Sequence, residues 1–149
     1  MRKRASWSTV VICTLLAGCA AMHPRVERKA DKRDCESGKA CTVTVTVSCV
    51  RFYGCSMAVD YDLVLVQDRG RSTQIDWVLA GEPGAEFAGN GIVLDNAQFE
   101  CAKREKKAVA CTDKHLDFGV FKYAINVTVP DGPFGPRGVP SLDPWVVNN

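Results

Sequence analysis

From Cys41 the chain alternates with a period of two. Cys41, Val43, Val45, Val47 and Cys49 fall on one face, and Thr42, Thr44, Thr46 and Ser48 on the other. Side chains branched at Cβ suit a pleated, half-buried surface, so the pattern predicts a strand with its valines inward. A second apolar run covers 57–66, after a loop holding residues 51–54. Tyr61, Leu63 and Leu65 are expected inward on it, and Val64 and Val66 on the opposite face predict cover from both sides. Thr73, Ile75, Trp77 and Leu79 make the inward face of a third strand. Residues 87–94 are apolar but carry Gly89, Asn90 and Gly91, the mark of a kink or bulge.

Residues 98–112 read as a hairpin, and Phe121, Tyr123, Ile125, Val127 and Val129 as the inward face of the last long strand. Five prolines and three glycines between 130 and 144 give an irregular crossing segment, after which Trp145, Val146 and Val147 offer a short final strand or plug. No ten-residue segment shows helical periodicity. About seven short strands with turns every eight to twelve residues predict an all-β, antiparallel β-sandwich, immunoglobulin-like in broad architecture. A small closed β-barrel is the alternative.

The first eighteen residues follow a different rule. Arg2, Lys3 and Arg4 precede an uncharged stretch, 7–18, whose apolar character rests on Val10, Val11, Ile12, Leu15 and Leu16. A helix of that length spans roughly 18 Å, short of a hydrocarbon core of about 30 Å. The pattern is that of a removable export signal. Its end, Leu16-Ala17-Gly18-Cys19, resembles the lipobox of bacterial lipoproteins. That resemblance covers residues 1–19. It implies cleavage before Cys19, acylation of that residue, and a mature protein held to the membrane by two or more chains. Cys13 would leave with the signal. In the same family Ala20, where an Asp would favour inner-membrane retention, implies the outer membrane of the cell envelope, on its periplasmic or its surface side.

Composition changes once the signal is set aside. The formal charge of the whole chain is +2, but without Arg2, Lys3 and Arg4 it becomes −1. Residues 20–34 carry five basic and three acidic side chains and little that could be buried, which predicts a tether, with His23 in it; the folded domain is expected over 35–149. That domain carries eleven basic and fourteen acidic residues, so nothing marks it as a nucleic-acid binder. Lys103, Arg104, Lys106 and Lys107 form a local basic run, read as a solvated turn.

Six cysteines remain: Cys35, Cys41, Cys49, Cys55, Cys101 and Cys111. An even count in a small exported domain reads as a disulfide framework. Fifteen full pairings exist. An extended strand would part Cys41 from Cys49 by about 26 Å, too far to bridge, whereas the short gaps favour 35–41, 49–55 and 101–111. A zinc site lacks any Cys-x-x-Cys pair and has only His115 to draw on beyond the tether, so no metal or other cofactor is expected.

Catalytic chemistry finds few candidates. His115, among Asp113, Lys114 and Asp117, reads as a solvated loop side chain rather than a base, and no nucleophile elbow is present. Asp60 and Asp62 on one strand face, about 7 Å apart, are the one carboxylate pair a cell-wall or polysaccharide-acting enzyme would use. Arg51, Phe52 and Tyr53 differ from the other aromatics, because they lie in a five-residue loop between Cys49 and Cys55. Either their rings fold back onto the sheet, or they form a possible binding loop of hot-spot composition.

The body is similar to small exported β proteins of Gram-negative bacteria that lack an assigned function. The similarity lies in Ile75-Asp76-Trp77-Val78-Leu79, Gly91-Ile92-Val93, Phe121-Lys122-Tyr123, and Leu142-Asp143-Pro144-Trp145-Val146-Val147-Asn148. It implies the fold class and no activity. The expected function is a non-catalytic, lipid-anchored envelope protein whose β domain binds another envelope or extracellular component, a protein or a glycan. An enzyme of the kind above and an inhibitor or immunity-type lipoprotein are the alternatives.

Overall fold

The computed structural model describes residues 32–36, 38–67, 70–130 and 137–149. The signal, Cys19 and residues 20–31 of the expected tether lie outside them. Eleven strands are described: β1 (Lys32–Cys35), β2 (Cys41–Val50), β3 (Gly54–Val59), β4 (Leu63–Val66), β5 (Thr73–Gly81), β6 (Glu86–Leu94), β7 (Phe99–Glu105), β8 (Ala108–Asp113), β9 (Gly119–Val129), β10 (Arg137–Gly138) and β11 (Trp145–Asn148). They form two sheets that do not close into a barrel. One runs β3-β2-β5-β8-β7; the other runs β1-β4-β11-β9-β10, with β6 also paired to β9. The sandwich is the fold.

Alternation decides which side chains meet between the sheets. Val43, Val45 and Val47 of β2, Ile75 and Trp77 of β5, and Cys111 of β8 are buried against Val64, Val66, Phe87, Tyr123, Ile125 and Val146. The Trp77 and Tyr123 rings meet edge to face with centroids 5.3 Å apart, the arrangement aromatic quadrupoles prefer. The expected kink is a register shift between Phe87 and Ile92 where β6 crosses β9. All three bridges join the expected pairs. Two of them staple hairpins at directly opposed residues, Cys49 with Cys55 and Cys101 with Cys111.

Three expectations are corrected. The sheets are mixed rather than antiparallel throughout: β1 and β11 pair in parallel with β4, and β5 in parallel with β2. The run 57–66 is not one strand: it breaks at residues 60–62, where the chain passes from the first sheet to the second. Val64 and Val66 face the core; Leu65 on the other side is buried too, so β4 is covered on both faces as expected, while Tyr61 and Leu63 are only half-buried. Also, the domain begins earlier than Cys35. Lys32, Arg33 and Asp34 belong to β1, a charged edge strand paired in parallel with β4. The Arg33 guanidinium lies 5.5 Å from the centre of the Tyr61 ring.

Register fixes which features share an end. β5 is parallel to β2 and antiparallel to β8, so the last residues of β8 lie beside the first residues of β2 and β5. Asn148, at the end of β11, donates from Nδ2 to Asp113 at the end of β8. Hence β11, with β4 and β1 parallel to it, runs against β2. The Cys35–Cys41 bridge, joining the end of β1 to the start of β2, requires the same direction. One end of the sandwich therefore collects the β2–β3 turn and the β7–β8 turn; the other collects His115 and the end of β11.

Candidate functional site

The β2–β3 turn is built to hold a fixed shape. Cys49 and Cys55 are opposed and bridged, with Cα atoms 4.0 Å apart. Val50 pairs with Gly54, which leaves Arg51, Phe52 and Tyr53 beyond the ladder. The Tyr53 N–H donates to the Val50 carbonyl at 3.1 Å and closes the turn. To make it, Phe52 adopts φ of 71° and Gly54 φ of 98°. For glycine that is ordinary; for a bulky residue such as Phe it costs on the order of 1 kcal/mol or more and persists only where the surroundings impose it.

The rings do not fold back. Phe52 is 73% exposed and Tyr53 82%, with Val50 exposed beside them. Arg51 lies over the Phe52 ring, 5.1 Å from its centre. Two large aromatic faces and a guanidinium thus stand in water on a braced turn, and little backbone freedom is left to lose on contact.

The residues expected to matter for catalysis are elsewhere and apart. Asp60 and Asp62 lie in the crossing between sheets, not on a strand face. The Asp60 carboxylate accepts the Thr44 N–H at 2.9 Å, and the Asp62 carbonyl accepts the Trp145 N–H at 3.0 Å; both contacts hold the crossing in place. Burial keeps the Tyr123 phenol well above its ordinary range, and the charges of Asp60 and Asp62 push the same way. A shallow cleft lined by Arg33, Asp34, Glu36 and Lys39 contains none of Asp60, Asp62 and His115.

His115 is not solvated. It is wholly buried, in a left-handed turn with φ of 47°, and its ring meets that of Phe118 edge to face. With Thr73, Gln98, Asp113 and Asn148 it makes a buried polar cluster that sequence reasoning missed. The Asp113 carboxylate accepts the His115 N–H at 2.8 Å, and Gln98 Oε1 accepts the Leu116 N–H at 3.0 Å. Asn148 Nδ2 donates to Gln98 Oε1 and Asp113 Oδ1, both at 3.3 Å. These bonds tie the end of β11 to the end of β8. Both imidazole nitrogens of His115 and Oδ2 of Asp113 make no hydrogen bond, so the cluster costs desolvation that it only partly recovers.

The strand parity was the available signal. Asp113 continues the inward series Val109, Cys111, and Asn148 continues Val146.

Burial holds the Asp113 carboxyl above its ordinary 3.8, against the His115 N–H and Asn148, which draw it down. A raised folded-state value means that its stabilising share is complete below the unfolded value and is lost as pH rises through the folded one. Urea unfolding should therefore show wild type gaining on Asp113→Asn as pH falls from 7 to 3.5. An unchanged difference would contradict this.

Among the described residues, no group of three His, Cys, Asp or Glu side chains could hold a metal ion, and no helix is long and apolar enough to cross a membrane. No family model matches the chain, and no curated protein matches it.

Proposed function

We propose that this chain is a non-catalytic, lipid-anchored protein of a bacterial envelope, outer-membrane by its Ala20, whose β domain binds another envelope or extracellular component through the β2–β3 tip. The observation that carries the reading is the exposure of Phe52 and Tyr53 on a turn fixed by a disulfide and a left-handed Phe backbone. Exposed apolar surface is unfavourable in water, and an aromatic pair on a braced turn beside an Arg has the make-up of an interface anchor. Cys19, as the lipid-bearing residue, would keep the domain at the membrane on the tether.

Block of an enzyme's cleft by the same tip is the second reading, favoured by the way three residues project beyond the ladder. The catalytic reading has less support, since Asp60 is spent on the Thr44 N–H and His115 is enclosed.

A photoreactive amino acid placed at position 50 tests the site in intact cells. Discrete adducts to protein, glycan or lipid are expected. Phe52→Ala with Tyr53→Ala should reduce them at least ten-fold, an effect of about 1.4 kcal/mol or more, while melting temperature stays within a few degrees. Adduct yield that ignores both substitutions would overturn the proposal.

A further inference from the structure

We infer that the component met by the tip is the lipid surface that carries the anchor, with Val50, Phe52 and Tyr53 entering the headgroup region of an anionic bilayer and the basic β7–β8 turn behind them. This rests on the preceding reading of the tip as the contact site, and it names the partner. Three observations lead to it, from composition, topology and charge.

The tip has the residues of an interfacial anchor. Val50, Phe52 and Tyr53 supply apolar surface, Tyr53 adds a hydroxyl for the headgroup level, and Arg51 adds a cation for phosphate. The loop between the two cysteines contains no carboxylate. Aromatic and basic side chains that mix in this way settle at the boundary between acyl chains and water.

Topology points the tip toward the anchor. β1 runs against β2, so the chain reaching Lys32 arrives from the side of the sandwich where the tip lies. Cys35 is bridged to Cys41, which sets Lys32 near the level of Thr44. From there to the tip is about 20–25 Å along β2 at roughly 3.3 Å per residue. Residues 19–31 can span at most about 45 Å whatever their conformation. The anchor thus keeps the domain within reach of the bilayer and leaves the tip ample length to touch it.

Charge orients the domain the same way. The β7–β8 turn lies at the tip's end of the sandwich, because the Leu79 N–H donates to the Lys107 carbonyl and Leu79 pairs with Val45. Lys103, Arg104 and Lys106 are exposed there. Lys106 pairs with Glu86 at 3.4 Å and Lys103 Nζ reaches the Phe87 carbonyl at 2.5 Å. Among the described side chains, these and Arg51 and Lys107 make five cations against Glu82, Glu86 and Glu105, so the described part of this end is positive on a domain whose sequence is negative overall. The turn sits roughly 17 Å behind the tip. Long side chains and a screening length of about 8 Å bring it into the field of an anionic surface once the tip is seated. The acidic remainder of the domain is repelled. Such a charge asymmetry turns the molecule tip-down.

The test uses the lipidated protein in vesicles of phosphatidylethanolamine and phosphatidylglycerol, with Phe52→Trp as reporter against the wild-type background of Trp77 and Trp145. Lipids carrying a nitroxide at a shallow depth should quench more than half of the added emission. The quenching should fall at least two-fold in phosphatidylcholine vesicles, and again with Arg104→Gln and Lys106→Gln. Tyr53→Trp repeats the reading at the neighbouring position. If the added emission at both positions ignores nitroxide lipid and stays open to acrylamide, the inference is wrong. Protein or glycan adducts at position 50 would then leave the proposed function standing with another partner; their absence as well would remove both.

Discussion

Reducing the three disulfides is expected to unfold the domain near its working temperature. Each bridge closes a short loop, with sequence separations of 6, 6 and 10. Loops of that size remove about 2.5 kcal/mol each of unfolded-chain entropy, or roughly 7–8 kcal/mol together. A domain of this length holds only about 5–15 kcal/mol in total. At roughly 4 °C per kcal/mol the melting temperature should drop by about 30 °C. Circular dichroism melts with and without reductant measure it. A drop under 5 °C would show that the sandwich core is sufficient alone, and that the bridges serve only to shape the tip and the edges.

The second large effect is expected at Trp77. Its side chain is fully buried in the middle of β5 and meets Tyr123 from the opposite sheet. Trp77→Ala removes the largest buried side chain and opens a cavity that neighbouring valines, fixed on two ladders, can fill only in part. A loss of about 3–5 kcal/mol is expected. Trp77→Phe keeps a ring against Tyr123 and should lose clearly less. Urea unfolding would show a lower midpoint with an unchanged slope. Equal losses for the two variants would mean that the indole itself, not the filled volume, matters.

Much of the fold was legible because β2, β5 and β9 obey parity. Thr and Val alternate through β2, and Thr73, Ile75, Trp77 and Leu79 hold one face of β5. The three bridges followed from chain distance. What parity could not show was where pairing overrides composition. Lys32, Arg33 and Asp34 look like tether, yet backbone pairing with β4 and the Cys35–Cys41 bridge order them. Residues 57–66 look like one run because Asp60 and Asp62 alternate as strand residues would. The break comes from Asp60 capturing the Thr44 N–H.

The sites divide in the same way. Arg51, Phe52 and Tyr53 stood out by composition and spacing between cysteines. Whether their rings turned in or out was not legible, because it depends on the turn's backbone conformation, with Phe52 at positive φ beyond the Val50–Gly54 pair. His115 looked solvated because Asp113, Lys114 and Asp117 flank it. Its burial goes with a left-handed backbone whose N–H is taken by Asp113 and with a ring that meets Phe118, neither of which residue type or charge pattern signals.

The central claim is a lipid-bearing chain whose disulfides brace a β domain and its aromatic tip. An intact mass of the membrane-extracted protein, followed by mapping of its linked peptides, tests it most directly. The account predicts a chain beginning at Cys19 with acyl mass on that residue, no free thiol, and links 35–41, 49–55 and 101–111. A chain beginning elsewhere without acyl mass, or a thiol left free at Cys49 or Cys55, would contradict it.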